Sequence, residues 1–247
     1  MVENGFAMTA SPGPPDMAER IHTVLGRIRA SAERARRDPS GIRLIAVSKG
    51  QPVAAVEKAW AAGLREFGEN YLEEALPKIQ VLDPSVTWHM IGHVQGRKAK
   101  GVVENFRYLH SVDSVALARR LSRFAAESGR TIPVLLECNL SGEATKYGWQ
   151  ASDPSDWDSL WPAWREILAL PGLSITGLMT MAPYSTNPEQ SRPVFSGLRR
   201  LRDRARECLP GPDWAELSMG MSDDFEPAVE EGATMVRIGR ALFGPRA

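Results

Sequence analysis

Cysteine is scarce in this chain: Cys138 and Cys208 are the only two among 247 residues, too few for a disulfide framework at that size. Excess charge of either sign is missing too. Thirty acidic side chains cancel 30 basic ones, so no global field draws the chain to nucleic acid or to an anionic membrane surface. No apolar run reaches bilayer-spanning length, and the N-terminus lacks the charged-then-apolar pattern of a secretory signal. A glycine-rich dinucleotide fingerprint after the first strand is absent, as is an HExxH zinc motif. What is present is the balance of an ordinary globular protein, 43% apolar and 24% charged. Its length suits one large domain or two small ones. Cytoplasm is the economical location, and neither nucleic acid nor membrane is an expected partner.

Residues 1–16, MVENGFAMTASPGPPD, have little to bury and are expected to form a disordered leader, with Met17 as an alternative natural start. From there helix-like and strand-like segments alternate. Residues 17–38 place Ile21, Leu25, Ile28, Ala32 and Ala35 on one helical stripe, and the arginines opposite read as a solvated face, interrupted by Glu19 and Glu33. PVAAVEKAWAAG puts Pro52 at the first helical position and stops at Gly63. DSVALARRLSRFAAESG is a helix capped by Asp113 or Ser114. NPEQSRPVFSGLRRLRDRARECL is another, starting late or kinked at Pro193.

Strand-like segments are LIAVSK, LREFGENY, VTWHMIGH, FRYLHSVD, TIPVLLECNLS, LSITGLMTMA, AELSMGMS and ATMVRIGRALFG, eight in all. Alternation with helices makes such strands parallel, because each helix carries the chain back across the sheet. Eight units in this length match an α/β fold of one class, a single closed (β/α)8 TIM-type barrel over residues 17–247, with no residues left over for a second folded domain. An open doubly wound sheet is the alternative.

In such barrels the chemistry sits at the C-terminal strand ends. Lys49, Glu69, Asn70, His89, His93, Ser111, Asp113, Asn139, Ser141, Ser218, Arg237 and Gly239 all fall there. Loops after the last two strands grip phosphate in this architecture, which predicts an anion near Ser218 and Gly239, with Ser222 capping the helix between them. A lysine at the tip of a buried strand is desolvated, which favours its neutral, nucleophilic form. Beside a phosphate site, that amine suits a Schiff base with pyridoxal phosphate or with a phosphosugar in an aldolase. An ordinary exposed loop lysine is the competing reading.

Other groups have plainer readings. His89 and His93 lie in a strand, so they are polar barrel-end residues and not a metal pair. Asp223 and Asp224 complement a helix start. Cys138 is a small core residue, and Trp157, Trp161 and Trp164 are core packing before they are a partner patch.

LIAVSK, FGENYLEEA, WHMIGHVQGRK, HSVDS, ECNLSGEATKYG, GLMTMAP and ELSMGMSDDFEPAVEEGATMVRIGRALFG, in that order, resemble the YggS/PROSC family of pyridoxal phosphate homeostasis proteins. The resemblance covers nearly everything from Met17 to Gly244. It implies a barrel like the N-terminal domain of alanine racemase, a fold type III protein without the second β domain. Pyridoxal 5'-phosphate would be bound as a Schiff base on Lys49. By the same resemblance Ser218 and the amides of Gly239 and Arg240 hold the phosphate, Arg237 faces the pyridine nitrogen, and Asn70 and Met219 line the pocket. Two positions depart from the family pattern: Arg240 replaces a common Ser or Thr, and Arg97 a common Asn. No metal is implied, a monomer is, and pyridoxal-dependent apoenzymes are the implied partners.

Arg237 limits the chemistry, since a guanidinium offers only donors and leaves the ring nitrogen unprotonated. Transamination is then disfavoured. Racemisation needs an acid/base group on each face of the amino acid, and the opposing tyrosine of alanine racemase comes from the second domain. None of Tyr71, Tyr108, Tyr147 and Tyr184 has a clear claim to that role. The expected function is cofactor carriage in vitamin B6 homeostasis with little or no amino acid turnover; an amino acid racemase is the alternative.

Overall fold

Strand pairing runs all the way round. The computed structural model describes residues 16–143 and 145–244. Its strands are β1 (Arg43–Val47), β2 (Glu66–Glu69), β3 (Thr87–Met90), β4 (Tyr108–Val112), β5 (Ile132–Asn139), β6 (Trp149–Gln150), β7 (Leu173–Met179), β8 (Glu216–Ser218) and β9 (Met235–Ile238). Parallel pairing follows the order β4-β3-β2-β1-β9-β8-β7-β5, and a β4–β5 pairing closes the ring. Each of the eight expected strands is present; β6 is an unforeseen two-residue addition that pairs with Cys138 and Asn139 outside the ring. The register sets Ile45 against Arg237 and Ala46 against Phe67, so the tips of β9, β1 and β2 lie side by side.

The first helix, α1 (Met17–Arg34), starts at a capping box: the Asp16 carboxylate accepts from Glu19 N at 2.8 Å and Glu19 returns the bond to Asp16 N at 3.0 Å. Of the expected leader over residues 1–16, residues 1–15 lie outside the described residues, and Asp16 belongs to the fold as the cap of α1. On α1 the buried stripe is Ile21, Val24, Ile28, Ser31 and Ala32, while Leu25 is 46% exposed and Ala35 is the C-cap. Val24 and Leu25 both fit the 3.6-residue repeat between Ile21 and Ile28, and packing turns Val24 inward. The arginine face is exposed as expected, and two of its members also form ion pairs. Arg27 and Arg34 pair at 3.1 Å and 2.8 Å with Glu226 and Glu230, both on α8 (Phe225–Glu230).

Pro52, expected as the first helical residue, is instead the N-cap of α2 (Val53–Ala61), which starts one position later. Between the next strands lie α3 (Leu72–Val81), α4 (Ala99–Asn105) and α5 (Val115–Glu127), the last capped by Ser114, whose hydroxyl accepts from Leu117 N at 3.3 Å. Helix α6 (Trp161–Leu168) buries Trp161 and Trp164, and Trp164 stacks on Trp214 with ring centroids 5.8 Å apart. The tryptophan group is core. Helix α7 (Arg192–Cys208) starts late, and Pro193 sits in its first turn, where no N–H is needed. A short α9 (Arg240–Phe243) ends the fold.

Two apolar layers result. The larger lies between strands and helices, and a smaller one of Ile45, Leu135, Met179 and Met235 fills the barrel interior. Gly177 sits where β7 meets β8, and a Cβ there would lie 1.9 Å from the Glu216 carbonyl oxygen. Gly177→Ala must push those strands apart, and a loss of about 1–3 kcal/mol in denaturant unfolding is expected; an unchanged midpoint would show that the ring yields at this seam.

Candidate functional site

A cavity of about 600 Å³ opens at the C-terminal strand ends. Lys49 reaches it from a turn just beyond β1, and the turn is held from below. The Ser48 hydroxyl donates to Glu69 Oε1 at 2.7 Å, and the Lys78 amine donates to the same oxygen at 2.5 Å and to the Ser48 carbonyl at 2.7 Å. Glu69 is fully buried and Lys78 is 4% exposed. Burial pushes the Glu69 carboxyl up against the lowering effect of Lys78 and Ser48. Removing either partner of such a pair would strand a buried charge. Asn70 follows β2 and is wedged against Gly92, where a Cβ would lie 2.5 Å from the Asn70 carbonyl oxygen.

Arg237 forms the floor. It projects from β9 into the barrel, where Nη1 donates to Ser218 Oγ at 2.5 Å and Nη2 to the Thr180 carbonyl at 2.9 Å. Burial pulls its pKa down to about 10, with Glu137 and Asp224 opposing the shift, so it stays charged at neutral pH. Glu137, on β5, also lines the cavity. Burial pushes its carboxyl up to about 7, the charge of Asp113 adds to the rise, and Arg237 opposes it.

Lys49, Asn70, Arg237, Gly239 and Arg240 therefore meet in one cavity, and Ser218 and Met219 are not among its lining residues. Both are fully buried. Gly220 turns the chain sharply after β8, with φ 91° and no room for a side chain, since a Cβ there would lie 2.6 Å from the Ala228 Cβ and 2.9 Å from the Phe225 Cα. That turn brings Met221, Ser222 and Asp223 to the cavity instead. Ser222 does not cap α8, whose N-cap is Asp224; its hydroxyl accepts from Ala241 N at 3.3 Å in α9. The Asp224 carboxylate accepts from Met221 N at 2.7 Å, and Asp223 pairs with the Arg240 guanidinium.

His93 also lines the cavity, bonded to the Asp113 carboxylate at 2.9 Å and stacked on Tyr147 with centroids 4.0 Å apart. His89 is buried inside the barrel, not at its rim. Cys138 is a buried core residue whose thiol burial pushes well up. Among the described residues no group of three or more His, Cys, Asp or Glu side chains could hold a metal. Sequence reasoning passed over Glu137, although a carboxylate inside the apolar run VLLEC was a visible signal. It also passed over Glu66 and His110, whose partners are distant in sequence, and it gave Ser222 a capping role only.

Comparison with known proteins agrees with the barrel fold. The family profile "Alanine racemase, N-terminal domain" matches residues 24–247. A pyridoxal phosphate homeostasis protein of Pseudomonas aeruginosa is 44% identical over 231 residues, 93% of this chain and 96% of that one. PipY of Synechococcus elongatus PCC7942, solved with PLP bound, is 38% identical with a TM-score of 0.78, over 93% of this chain and 100% of that one. An alanine racemase of Clostridium difficile shares the fold at 15% identity and a TM-score of 0.69, over 90% of this chain but 56% of that one. The chain belongs to the pyridoxal phosphate homeostasis proteins, within the alanine racemase N-terminal domain family.

Glu137 generates a test of the electrostatics. The folded chain keeps its proton up to about pH 7, the unfolded chain only to about 4.5. Between those values the folded state binds more protons, so stability falls as pH rises. Glu137→Gln should remove that fall and stabilise the protein at pH 8 by up to about 3 kcal/mol. Parallel stability–pH curves for the two proteins would show an ordinary carboxylate.

Proposed function

We propose that this family member holds pyridoxal 5'-phosphate in the barrel-end cavity, bonded through its aldehyde carbon to Lys49, and acts in cofactor homeostasis inside the cell. The observation that carries the reading is a strand-tip amine sharing one cavity with a buried, donor-only guanidinium, Arg237. The remaining donors fit the group. Ser222, Gly239 and Arg240 gather at one side, and Gly239, lacking a side chain, leaves its amide approachable. In this reading Ser222 takes the phosphate role expected of Ser218. Arg240 offsets Asp223, with which it pairs, and so keeps a carboxylate from repelling the phosphate. Val47, Ile91 and Met221 supply apolar walls for the ring.

When bound, the cofactor supplies an electron sink whose strength depends on protonation of its ring nitrogen. Arg237 faces that nitrogen with donors only and keeps its own proton at neutral pH. The sink is thereby weak, which favours carriage over turnover. Pyridoxal-dependent apoenzymes are the recipients in this reading. A monomer is the state taken in this reading.

A second reading, an amino acid racemase, is favoured by one observation: the Asp113-oriented His93 beside Tyr147 is an acid/base pair at the same cavity. Visible absorption, borohydride reduction and peptide mass mapping of wild type and Lys49→Ala test both. A yellow protein with its reduced adduct on Lys49, and no Lys49-dependent exchange of the amino acid α-hydrogen with solvent, is expected. An adduct elsewhere, or no uptake, would refute cofactor binding at Lys49. Lys49-dependent exchange would support the racemase.

A further inference from the structure

Below the cavity a run of hydrogen bonds crosses the barrel. Glu66, at the start of β2, meets His89 Nε2 at 2.5 Å; His89 Nδ1 meets His110 Nε2 at 2.9 Å; His110 Nδ1 meets Ser218 Oγ at 2.8 Å; and Arg237 Nη1 donates to that same oxygen at 2.5 Å. β4 and β8 are not neighbours in the ring, so the His110–Ser218 bond passes through the interior. His89, His110 and Ser218 are fully buried, and only Glu66 reaches the rim opposite the cavity, its side chain 29% exposed.

We propose that Glu66, His89, His110 and Ser218 form a one-way chain of positioning residues that holds Arg237 in the floor of the cavity. This rests on the pyridoxal phosphate reading above. The two ends set the direction. A guanidinium can only donate and a carboxylate can only accept. Burial works against the Glu66 charge, yet the bond from His89 and the charges of Arg43 and Arg107 hold the carboxyl below its usual range. His89 must therefore carry its hydrogen on Nε2 and accept on Nδ1. His110 must donate from Nε2 and accept on Nδ1, which the Ser218 O–H then fills. Ser218 is left with lone pairs for Arg237. Every link has one donor and one acceptor, and both imidazoles are neutral. Burial pushes both histidines down, His110 further, where the positive side chains nearby add to it.

Plain core filling does not call for such a run. The adjoining interior layer is Ile45, Leu135, Met179 and Met235, and an all-apolar interior carries no desolvation cost. A fully satisfied polar chain fixes orientation instead. Here it orients the Ser218 lone pairs toward Nη1, while the Thr180 carbonyl takes Nη2. Two anchors set the plane of the guanidinium, and Arg237 presents its other edge to the cavity.

The test reads the chain first without cofactor. Side-chain ¹⁵N NMR of the apoprotein should show His89 and His110 as neutral Nε2–H tautomers that do not titrate between about pH 9 and 5. An imidazolium or an Nδ1–H tautomer at either would overturn the one-way assignment. Pyridoxal phosphate titration of His110→Phe should then show about tenfold weaker retention, roughly one lost hydrogen bond to a charge, and a shifted visible band. Glu66→Gln, which still accepts from His89 through its amide oxygen, should stay within about twofold of wild type. Ser218→Ala removes the same link by a single atom and serves if His110→Phe does not fold. Wild-type affinity and an unmoved band in a folded His110→Phe or Ser218→Ala would reduce the chain to packing. A wild type that takes up no pyridoxal phosphate would overturn the cavity's assignment and the purpose given to the chain, and the tautomers would still report whether the chain exists.

Discussion

Burying the charge of Arg237 is the constraint around which this barrel is organised. A guanidinium 4% exposed loses most of its hydration and destabilises the fold unless its donors are met. Ser218 and the Thr180 carbonyl meet two of them from inside the ring. Glu137 and Asp224 add compensating field from nearby positions. The proximity is mutual: Arg237 opposes the rise of the Glu137 pKa without preventing it. The floor of the cavity is thus positive, donor-rich and rigid, with a carboxyl at its edge that titrates close to neutral pH.

The rest of the site repeats the same device at smaller scale. A buried Lys78–Glu69 pair fixes the turn that presents Lys49. Arg240 sits against Asp223 at the rim. In each case a charge at the cavity is placed by an opposite charge or by a backbone carbonyl. Orientation comes from partners on different strands, which a closed ring of eight parallel strands brings within bonding distance.

The fold was legible because its signals are local. Apolar strand cores, helix stops at Gly63 and Gly129, and strict alternation all act over a few residues, and alternation forces parallel strands. Lys49, Asn70, Arg237 and Gly239 line the cavity as strand tips do in this architecture, and Arg240 was pointed to only by the family resemblance. Ser218 was misplaced because the strand period says only that it is at a tip. The turn at Gly220, which closes over Phe225 and Ala228, decides that Ser222 reaches the cavity instead. Leu25 and Val24 were confused because both satisfy an apolar stripe until the packing against α8 is known. The Glu66–His89–His110–Ser218 chain had no local signature at all, its members being 21, 23 and 108 residues from their bonded partners.

The most direct measurement is ¹⁵N NMR of the pyridine nitrogen in isotopically labelled pyridoxal phosphate bound to the protein. With Arg237 as a donor-only partner, the nitrogen should resonate as a hydrogen-bonded but unprotonated pyridine across neutral pH. A pyridinium resonance would contradict this, and would mean that the buried guanidinium does not face the ring nitrogen.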